Sequence, residues 1–199
     1  MPLILASSSR YRAELLTRLH LPFTALSPDV DETPHTGETP HELALRLSVD
    51  KAETVARLHP GCVVIGADQV ATVDGEAIGK PGTHEKAFAQ LRRLSGHTVL
   101  FHSALCVHDG QRHVAEDVVT RCVFRDLSNE EIETYLRLER PYDTAGSAKA
   151  EGLGISLMSA MHSDDPTAII GLPLIALSRM LREFGLNPLA ARAHQGSPA

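Results

Sequence analysis

Two short apolar runs, each followed at once by polar residues, constrain the fold of this chain more than any other feature. Leu3-Ile4-Leu5 precedes the serine- and arginine-rich segment 7–12, and Val63-Val64-Ile65 precedes Gly66-Ala67-Asp68-Gln69. A short apolar run bounded by turn residues is typical of a buried strand. A third polar segment, Gly79-Lys80-Pro81, follows the next strand-like stretch. We therefore expect the three polar segments to form one site beside a sheet.

The pattern between these segments mixes helices and strands. A helix is predicted over residues 10–19, capped by the serines before it, and another begins at Thr39-Pro40. Asp74-Gly75 between apolar segments predicts a hairpin turn. Helical spacing of apolar residues predicts a final helix over 172–184. The sequence thus predicts an α/β (mixed α+β) fold with a twisted mixed sheet and a cleft between two lobes.

Length and composition set limits on the domains and partners of this chain. Its 199 residues suit a single domain over 1–189, with small and polar residues in a flexible tail over 190–199. The net charge of -6 argues against a nucleic acid polymer as partner, because such binding is driven by phosphate neutralisation. No apolar run reaches the roughly 18 residues of a membrane span, and no leader is recognisable. We expect a cytoplasmic protein that binds no membrane.

The segment 7–12 combines hydroxyl groups and cations at the predicted start of a helix. A helix N-terminus presents unpaired N–H groups and the positive end of the helix dipole, which favour an anion. Ser7 and Ser8 add hydroxyl donors, and Arg12 can hold phosphate oxygens in a bidentate manner. The alternative is ordinary capping by serine with arginines on the surface. No Walker phosphate loop is present in the chain.

Two carboxylates and two lysines supply the remaining chemistry. Asp68 follows a buried strand, where it can orient a water as general base or hold a divalent metal. Glu32 ends an acidic segment and could be a second oxygen ligand. Lys51 and Lys80 could offset the charge of a phosphate in the transition state. The alternatives are a turn-forming Asp68, a solvated loop at Glu32 and surface lysines. We assign no role to the eleven histidines, which show no metal-ligand spacing.

These residues resemble the Maf family of nucleoside triphosphate pyrophosphatases, from Leu3 to about Pro188. The matching stretches are Leu3-Ile4-Leu5-Ala6-Ser7-Ser8-Ser9 with Arg12, Val30-Asp31-Glu32, Lys51-Ala52, Ile65-Gly66-Ala67-Asp68-Gln69, Gly79-Lys80-Pro81 and Ile169-Ile170-Gly171-Leu172-Pro173. The resemblance implies a two-lobed fold like that of Maf and ITPase proteins, with an elongated sheet and a central cleft. It also implies hydrolysis of a nucleoside triphosphate to its monophosphate and pyrophosphate with Mg²⁺ or Mn²⁺, in a cytoplasmic protein that is often a homodimer.

The resemblance also implies roles for individual residues. Asp68 would be the proton acceptor, with Glu32 and Asp68 as candidate metal ligands. The implied contacts to phosphate or metal are Ser7, Arg12, Glu32, Lys51 and Lys80. Ser8 is a further candidate substrate contact.

Within the family, the chain is similar to the 7-methyl-GTP pyrophosphatase branch, chiefly through residues 145–155 and Asp68-Gln69. The positions tied to base choice in that branch match Tyr11, Gln69 and Glu151. Methylation at N7 makes guanine cationic, so the ring would stack on Tyr11, and Glu151 would accept hydrogen bonds from the N1–H and N2–H₂ edge. Arg10 replaces the proline usual in the family, and Tyr11 replaces a tryptophan frequent in the branch.

Three functions remain open on the sequence. The first is hydrolysis of 7-methyl-GTP, and the second is the same reaction with dTTP, UTP or other modified nucleotides. The third is a nucleotide-binding regulator of cell division with little turnover. A pure binding protein would not need both a base and metal ligands, which argues against the third.

Overall fold

The computed structural model describes the backbone of residues 1–192 and the side chains of residues 1–190. The strands are β1 (Leu3–Ala6), β2 (Phe23–Leu26), β3 (Val63–Val73), β4 (Glu76–Ile78), β5 (Thr98–His108), β6 (His113–Phe124) and β7 (Met158–His162). The helices are α1 (Arg10–Thr17), α2 (Pro40–Leu58), α3 (His84–Leu94), α4 (Asn129–Glu139), α5 (Leu174–Glu183) and α6 (Pro188–Arg192).

One mixed sheet joins all of these strands, in the order β2-β1-β3-β5-β6-β7 with β4 beside β3. β1 runs parallel to β2 and β3, whereas β3, β5, β6 and β7 pair antiparallel in succession. The predicted mixed α/β class is therefore confirmed. Among the described helices, none is long and apolar enough to cross a membrane.

β3 has an open stretch along one of its edges. Its pairing with β5 is continuous from Val64 to Val73, and its other edge is shared by β1 and β4. β1 stops where Ala6 pairs with Gly66, and β4 pairs again from Ala71 onwards. Residues 67–70 therefore have a strand neighbour on one side only, which leaves a gap in the sheet.

β3 continues past its predicted end. The sequence predicts a strand that ends at Gly66, with Asp68 following it, and this prediction is wrong because Asp68 lies within β3. The strand continues because β5 supplies hydrogen-bond partners along its whole length, even though the parallel neighbour β1 has stopped. Asp68 still lies beside the end of a parallel strand, but that strand is β1.

α2 covers one face of the sheet and packs very closely on β3. The helix begins where the Thr39-Pro40 pattern predicts. Thr39 Oγ1 accepts from the backbone N–H of Glu42, and the backbone N–H of Thr39 donates to the Glu42 carboxylate, which completes a capping box. A Cβ atom on Gly66 would lie 2.1 Å from the carbonyl oxygen of Ser48 in α2. Glycine is thus required at residue 66 for the backbones of helix and strand to approach this closely.

The opposite face carries two hydrophobic clusters, one at each end of the long strands. Leu5 and Leu105 pack with α1 and α5 in the first, and Phe101 packs with α3 and α4 in the second. Gln69 of β3 and Ser103 of β5 lie between the two clusters on this face, and their side chains are hydrogen-bonded. The division into two clusters corresponds to the predicted pair of lobes.

Several element boundaries differ from the prediction. α1 ends at Thr17, because the chain turns away with His20 in the left-handed region at φ 54°. The last long helix begins at Leu174, after Pro173 in extended conformation at its N-cap. β7 was not predicted. Of the predicted tail, residues 190–192 end α6 and residues 193–199 lie outside the described part.

Candidate active site

The three polar segments meet at the gap in the sheet. After Ala6 the chain continues from β1 as residues 7–12, and after Ile78 it continues from β4 towards Lys80. Both segments arrive beside the open edge of β3. All ten predicted site residues line one cleft of about 770 Å³. They are Ser7, Ser8, Tyr11, Arg12, Glu32, Lys51, Asp68, Gln69, Lys80 and Glu151.

Lys51 joins the two predicted carboxylates. Its Nζ lies 2.7 Å from Asp68 Oδ1 and 2.6 Å from Glu32 Oε1. The side chains of Lys51 and Asp68 are almost buried, with exposed fractions of 8% and 12%, whereas Glu32 is 61% exposed. The buried cation therefore fixes both carboxylates at the wall of the cleft while Glu32 stays open to solvent.

The charges around Glu32 keep it ionised. The hydrogen bond from Lys51 lowers its pKa most, opposed by partial burial, and the charges of Lys51, Lys80 and Arg12 lower it further. A carboxylate that is stabilised in its charged form is a good ligand for a cation and a poor proton acceptor. Glu32 is thus better suited to binding than to general base catalysis.

Arg12 is positioned by two other segments of the site. Its Nε donates to the carbonyl oxygen of Gly171 at 2.9 Å, and its Nη1 donates to Ser7 Oγ at 3.3 Å. Burial lowers the pKa of Arg12 below its ordinary value, and the charges of Asp68 and Glu32 oppose that shift. Gly171 belongs to the matching stretch 169–173, so one function of that stretch is to orient this guanidinium.

The N-terminus of α1 combines capping with a free hydroxyl. Ser9 caps the helix by accepting from the backbone N–H of Arg12, and Ser7 Oγ accepts from the backbone N–H of Ser9. Ser8 is exposed and lines the cleft. Capping and anion binding are therefore compatible here, because the serine that caps the helix is neither of the two predicted phosphate contacts.

Gln69 supports the site from the opposite face of the sheet. Its Nε2 donates to Ser103 Oγ at 3.0 Å and to the carbonyl oxygens of Ala168 and Ile169 at 3.2 and 3.0 Å. Its amide nitrogen is thus already engaged in holding residues 168–170. Any contact of Gln69 with a base or ribose would use its carbonyl oxygen.

Tyr11 and Glu151, the two residues predicted to recognise the base, both line the cleft. The guanidinium carbon of Arg10 lies 4.8 Å from the centre of the Tyr11 ring, and Arg10 Nη2 donates to the Tyr11 hydroxyl at 2.9 Å. One face of the tyrosine is thus covered by a cation. Glu151 is exposed on a turn that α4 holds, since Glu139 accepts from the N–H of Leu153 at 2.7 Å.

The donor set at the cleft fits a hard divalent cation. Lys51 provides the sole hydrogen bond to the Asp68 carboxylate from the described residues, and each of Glu32 and Asp68 has a second oxygen that accepts none. Carboxylate oxygens together with substrate phosphates are the ligands that Mg²⁺ and Mn²⁺ favour. Glu32 and Asp68 could therefore hold such a cation.

Sequence reasoning missed a second group of polar residues, outside this cleft. His41, His102 and Asp117 have ligand atoms within 4.8 Å of one another. The three are 15 to 76 residues apart in sequence, so no spacing motif could reveal them. None of the three lines the cleft that holds Asp68.

Residues 2–184 match the family described as Maf-like protein. The chain belongs to the Maf family. The match includes the segment 7–12, Asp68, helix α2 with Lys51 and the stretch 169–173, so the family resemblance seen in the sequence is confirmed for nearly the whole chain.

Relatives of this Maf chain include a protein from Bordetella avium named 7-methyl-GTP pyrophosphatase, 70% identical over 94% of this chain and 95% of that protein. A protein of the same name from Ralstonia nicotianae is 61% identical over 91% of this chain and 94% of its own length. A solved nucleoside-triphosphatase / dITP/XTP pyrophosphatase from Mycobacterium abscessus aligns with 70% of this chain and 96% of its own, at 19% identity and a TM-score of 0.40.

Proposed function

We propose that this chain hydrolyses 7-methyl-GTP to 7-methyl-GMP and pyrophosphate. The proposal is supported by the names of relatives at 61–70% identity and by the cleft. The observation that carries it is the contact of Lys51 with both Asp68 and Glu32 at the wall of the cleft that Arg12 and the N-terminus of α1 also line. This arrangement combines a proton acceptor with groups that bind phosphate.

The reaction breaks the bond between the α-phosphorus and the oxygen that bridges to the β-phosphorus. A water oxygen bonds to the α-phosphorus, the bridging oxygen leaves with the pyrophosphate, and a proton of the water goes to Asp68. Lys51 holds the Asp68 carboxylate in place, with Nζ 2.7 Å from Oδ1. Asp68 and Lys51 thus serve as the base and its positioning partner.

The cationic and hydroxyl groups of the cleft bind the triphosphate. Arg12 and Lys80 offset charge on the phosphate oxygens, and Ser7, Ser8 and the N–H groups at the start of α1 donate to them. A divalent cation held by Glu32 and Asp68 would neutralise phosphate charge and help to align the α-phosphate. We extend the proposal to Mg²⁺ or Mn²⁺ as that cation.

Base recognition is assigned to Tyr11 and Glu151. A cationic 7-methylguanine would stack on the face of Tyr11 that Arg10 leaves free, and Glu151 would accept from the N1–H and N2–H₂ edge. Glu151→Gln keeps the size of the side chain but removes its charge and one acceptor. Its effect on 7-methyl-GTP should therefore exceed its effect on UTP.

The experiment compares kcat/KM for 7-methyl-GTP and UTP in the wild type, in Glu151→Gln and in the control Glu130→Gln. Glu130 is an exposed carboxylate in the first turn of α4 and does not line the cleft. We expect Glu151→Gln to lower the ratio of the two values about tenfold or more, as for loss of one charged hydrogen bond. Equal losses on both substrates would overturn the base assignment.

A second candidate substrate class is dTTP and UTP. It is favoured by the position of Arg10 over the Tyr11 ring, because a guanidinium on one face of the ring would repel a cationic base stacked on the other face. The same comparison separates the two candidates, since a wild type that prefers UTP would support the second.

From the family resemblance, we also propose that the enzyme acts in the cytoplasm and that it forms a homodimer. Size-exclusion chromatography with light scattering tests the homodimer, and a monomer at micromolar concentration would contradict it.

A further inference from the structure

Three side chains from three different elements converge at the start of α2. His41 is the second residue of that helix, His102 lies on β5 and Asp117 lies on β6. Asp117 Oδ2 is 2.7 Å from His41 Nδ1 and 2.6 Å from His102 Nδ1. Two imidazoles therefore share one carboxylate oxygen.

The strand register explains why these groups meet. Asp117 pairs with Ala104 and His102 pairs with Val119, so both side chains point to the same face of the sheet. Ala104 packs against α2 on that face, which places the first turn of the helix above the pair. The two histidine rings are 5.9 Å apart, at an angle of 65°.

The Asp117 carboxylate is incompletely satisfied. Its side chain is 2% exposed, and Oδ1 has no hydrogen-bond partner among the described residues. A buried carboxylate is unfavourable unless its oxygens are paired or bind a cation. Two neutral imidazoles and one carboxylate are also a common ligand set for zinc.

We propose that His41, His102 and Asp117 bind a divalent transition metal of the Zn²⁺ class, at a site separate from the nucleotide cleft. Imidazole and carboxylate suit Zn²⁺ better than Mg²⁺, which favours oxygen ligands alone. The metal would join the first turn of α2 to β5 and β6. It would stabilise the folded state without taking part in the hydrolysis.

The surroundings of His41, His102 and Asp117 allow a metal ion to reach these side chains and allow the ligands to move slightly. His41 is 53% exposed, and a shallow cleft of about 410 Å³ beside it is lined by both histidines and by Thr72 and Thr98. Zn²⁺ ligands about 2.0–2.1 Å from the metal lie roughly 3.3 Å apart in a tetrahedron. The carboxylate and the rings must therefore separate slightly, and the exposed His41 can move to allow it.

The test titrates metal-free protein with Zn²⁺ against a chelating dye and records the visible absorption of the Co²⁺ form. The variants are His41→Asn and His102→Asn, with His162→Asn as a matched control because His162 is exposed at the end of β7. Glu32→Gln is included to remove a ligand from the nucleotide cleft. Circular dichroism confirms that each variant is folded.

We expect the wild type to bind one equivalent of Zn²⁺ and to give intense tetrahedral Co²⁺ bands. His41→Asn and His102→Asn should each weaken binding at least about tenfold, while His162→Asn and Glu32→Gln should bind as the wild type does. Equal binding by His41→Asn and the wild type would overturn the proposal, as would a wild type that binds no Zn²⁺. Loss of Zn²⁺ binding in Glu32→Gln would also overturn it, because the metal would then belong to the nucleotide cleft.

Discussion

Lys51 Nζ of α2 lies 2.7 Å from Asp68 Oδ1 of β3, and Lys51 lies in sequence between Ser48 and Ala52, the helix residues that approach Gly66 of β3. The contact at Gly66 allows a buried cation on the helix to reach a carboxylate on the strand. The electrostatics of the cleft therefore depend on the packing of α2 against β3.

Replacing Lys51 with glutamine should remove most of the activity. The variant leaves Asp68 buried without its cation and removes positive charge near the phosphates. We expect kcat/KM for pyrophosphate release to fall about 100-fold or more, as when a charge-stabilising group is removed from an active site. Lys86→Gln is the control, because Lys86 is exposed on α3. Activity within threefold of the wild type would contradict the role given to Lys51.

Gly66→Ala should destabilise the fold. The new methyl group would meet backbone atoms of Ser48 and Ala52 at 2.1 and 2.7 Å, and backbone cannot move aside cheaply. We expect a loss of about 1–3 kcal/mol in the free energy of unfolding, measured by urea denaturation. Gly79→Ala should have little effect on stability, since nothing lies within 4 Å of its Cβ position. Similar urea concentrations at the midpoint of unfolding for Gly66→Ala and Gly79→Ala would argue against close packing at residue 66.

Glu38→Gln should weaken stability in a pH-dependent manner. Arg46 donates to both oxygens of Glu38, at 2.6 and 2.9 Å, and also to the carbonyl oxygen of Thr33 next to Glu32. The bond from Arg46 lowers the pKa of Glu38 from 4.5 to about 2. A carboxylate whose pKa is lowered by folding stabilises the folded state fully at pH values above its ordinary pKa. This stabilisation is lost as the pH falls towards the lowered pKa.

The melting temperatures of wild type and Glu38→Gln should therefore differ at pH 7 and converge between about pH 4.5 and 2. Glu130→Gln serves as the control, because Glu130 is exposed at the start of α4 and its carboxylate makes no ion pair with a described residue. A difference that stays constant from pH 7 to 2 would be inconsistent with an ionised Glu38 held by Arg46.

Gln69→Glu should disturb the segment that holds Arg12. The glutamate would place a carboxylate oxygen where the amide nitrogen now lies. That oxygen would repel the carbonyl oxygens of Ala168 and Ile169 and could not donate a hydrogen bond to them. We expect a loss of about 1–3 kcal/mol in stability and a higher KM, since Gly171 lies two residues after Ile169 and orients Arg12. Gln111→Glu, at an exposed turn, should change neither value. An unchanged KM in Gln69→Glu would show that Gln69 does not help to position Arg12.

The sequence predicted which residues line the cleft better than it predicted how the strands around the cleft are arranged. The apolar run that ends in serines indicated where the chain leaves β1, and all ten predicted residues line one cleft. The roles of these residues stay predictions. The position of Asp68 within β3 was not predictable, because the strand is prolonged by β5, which lies more than 30 residues further along the chain.

Contacts between distant residues account for most of what the sequence could not reveal. The bonds of Gln69 to residues 168 and 169 depend on how two lobes meet across the sheet. The meeting of His41, His102 and Asp117 depends on the register of β5 with β6 and on where α2 begins. Neither local propensity nor spacing carries this information.

The most direct test of the central claim is pyrophosphate release with Mg²⁺ or Mn²⁺ across a panel of nucleoside triphosphates, for the wild type and Asp68→Ala. We predict the highest kcat/KM for 7-methyl-GTP and a fall of about 100-fold or more in Asp68→Ala, as for loss of a general base. Turnover of 7-methyl-GTP by Asp68→Ala at the wild-type rate, or binding of nucleotides by the wild type without pyrophosphate release, would contradict the account.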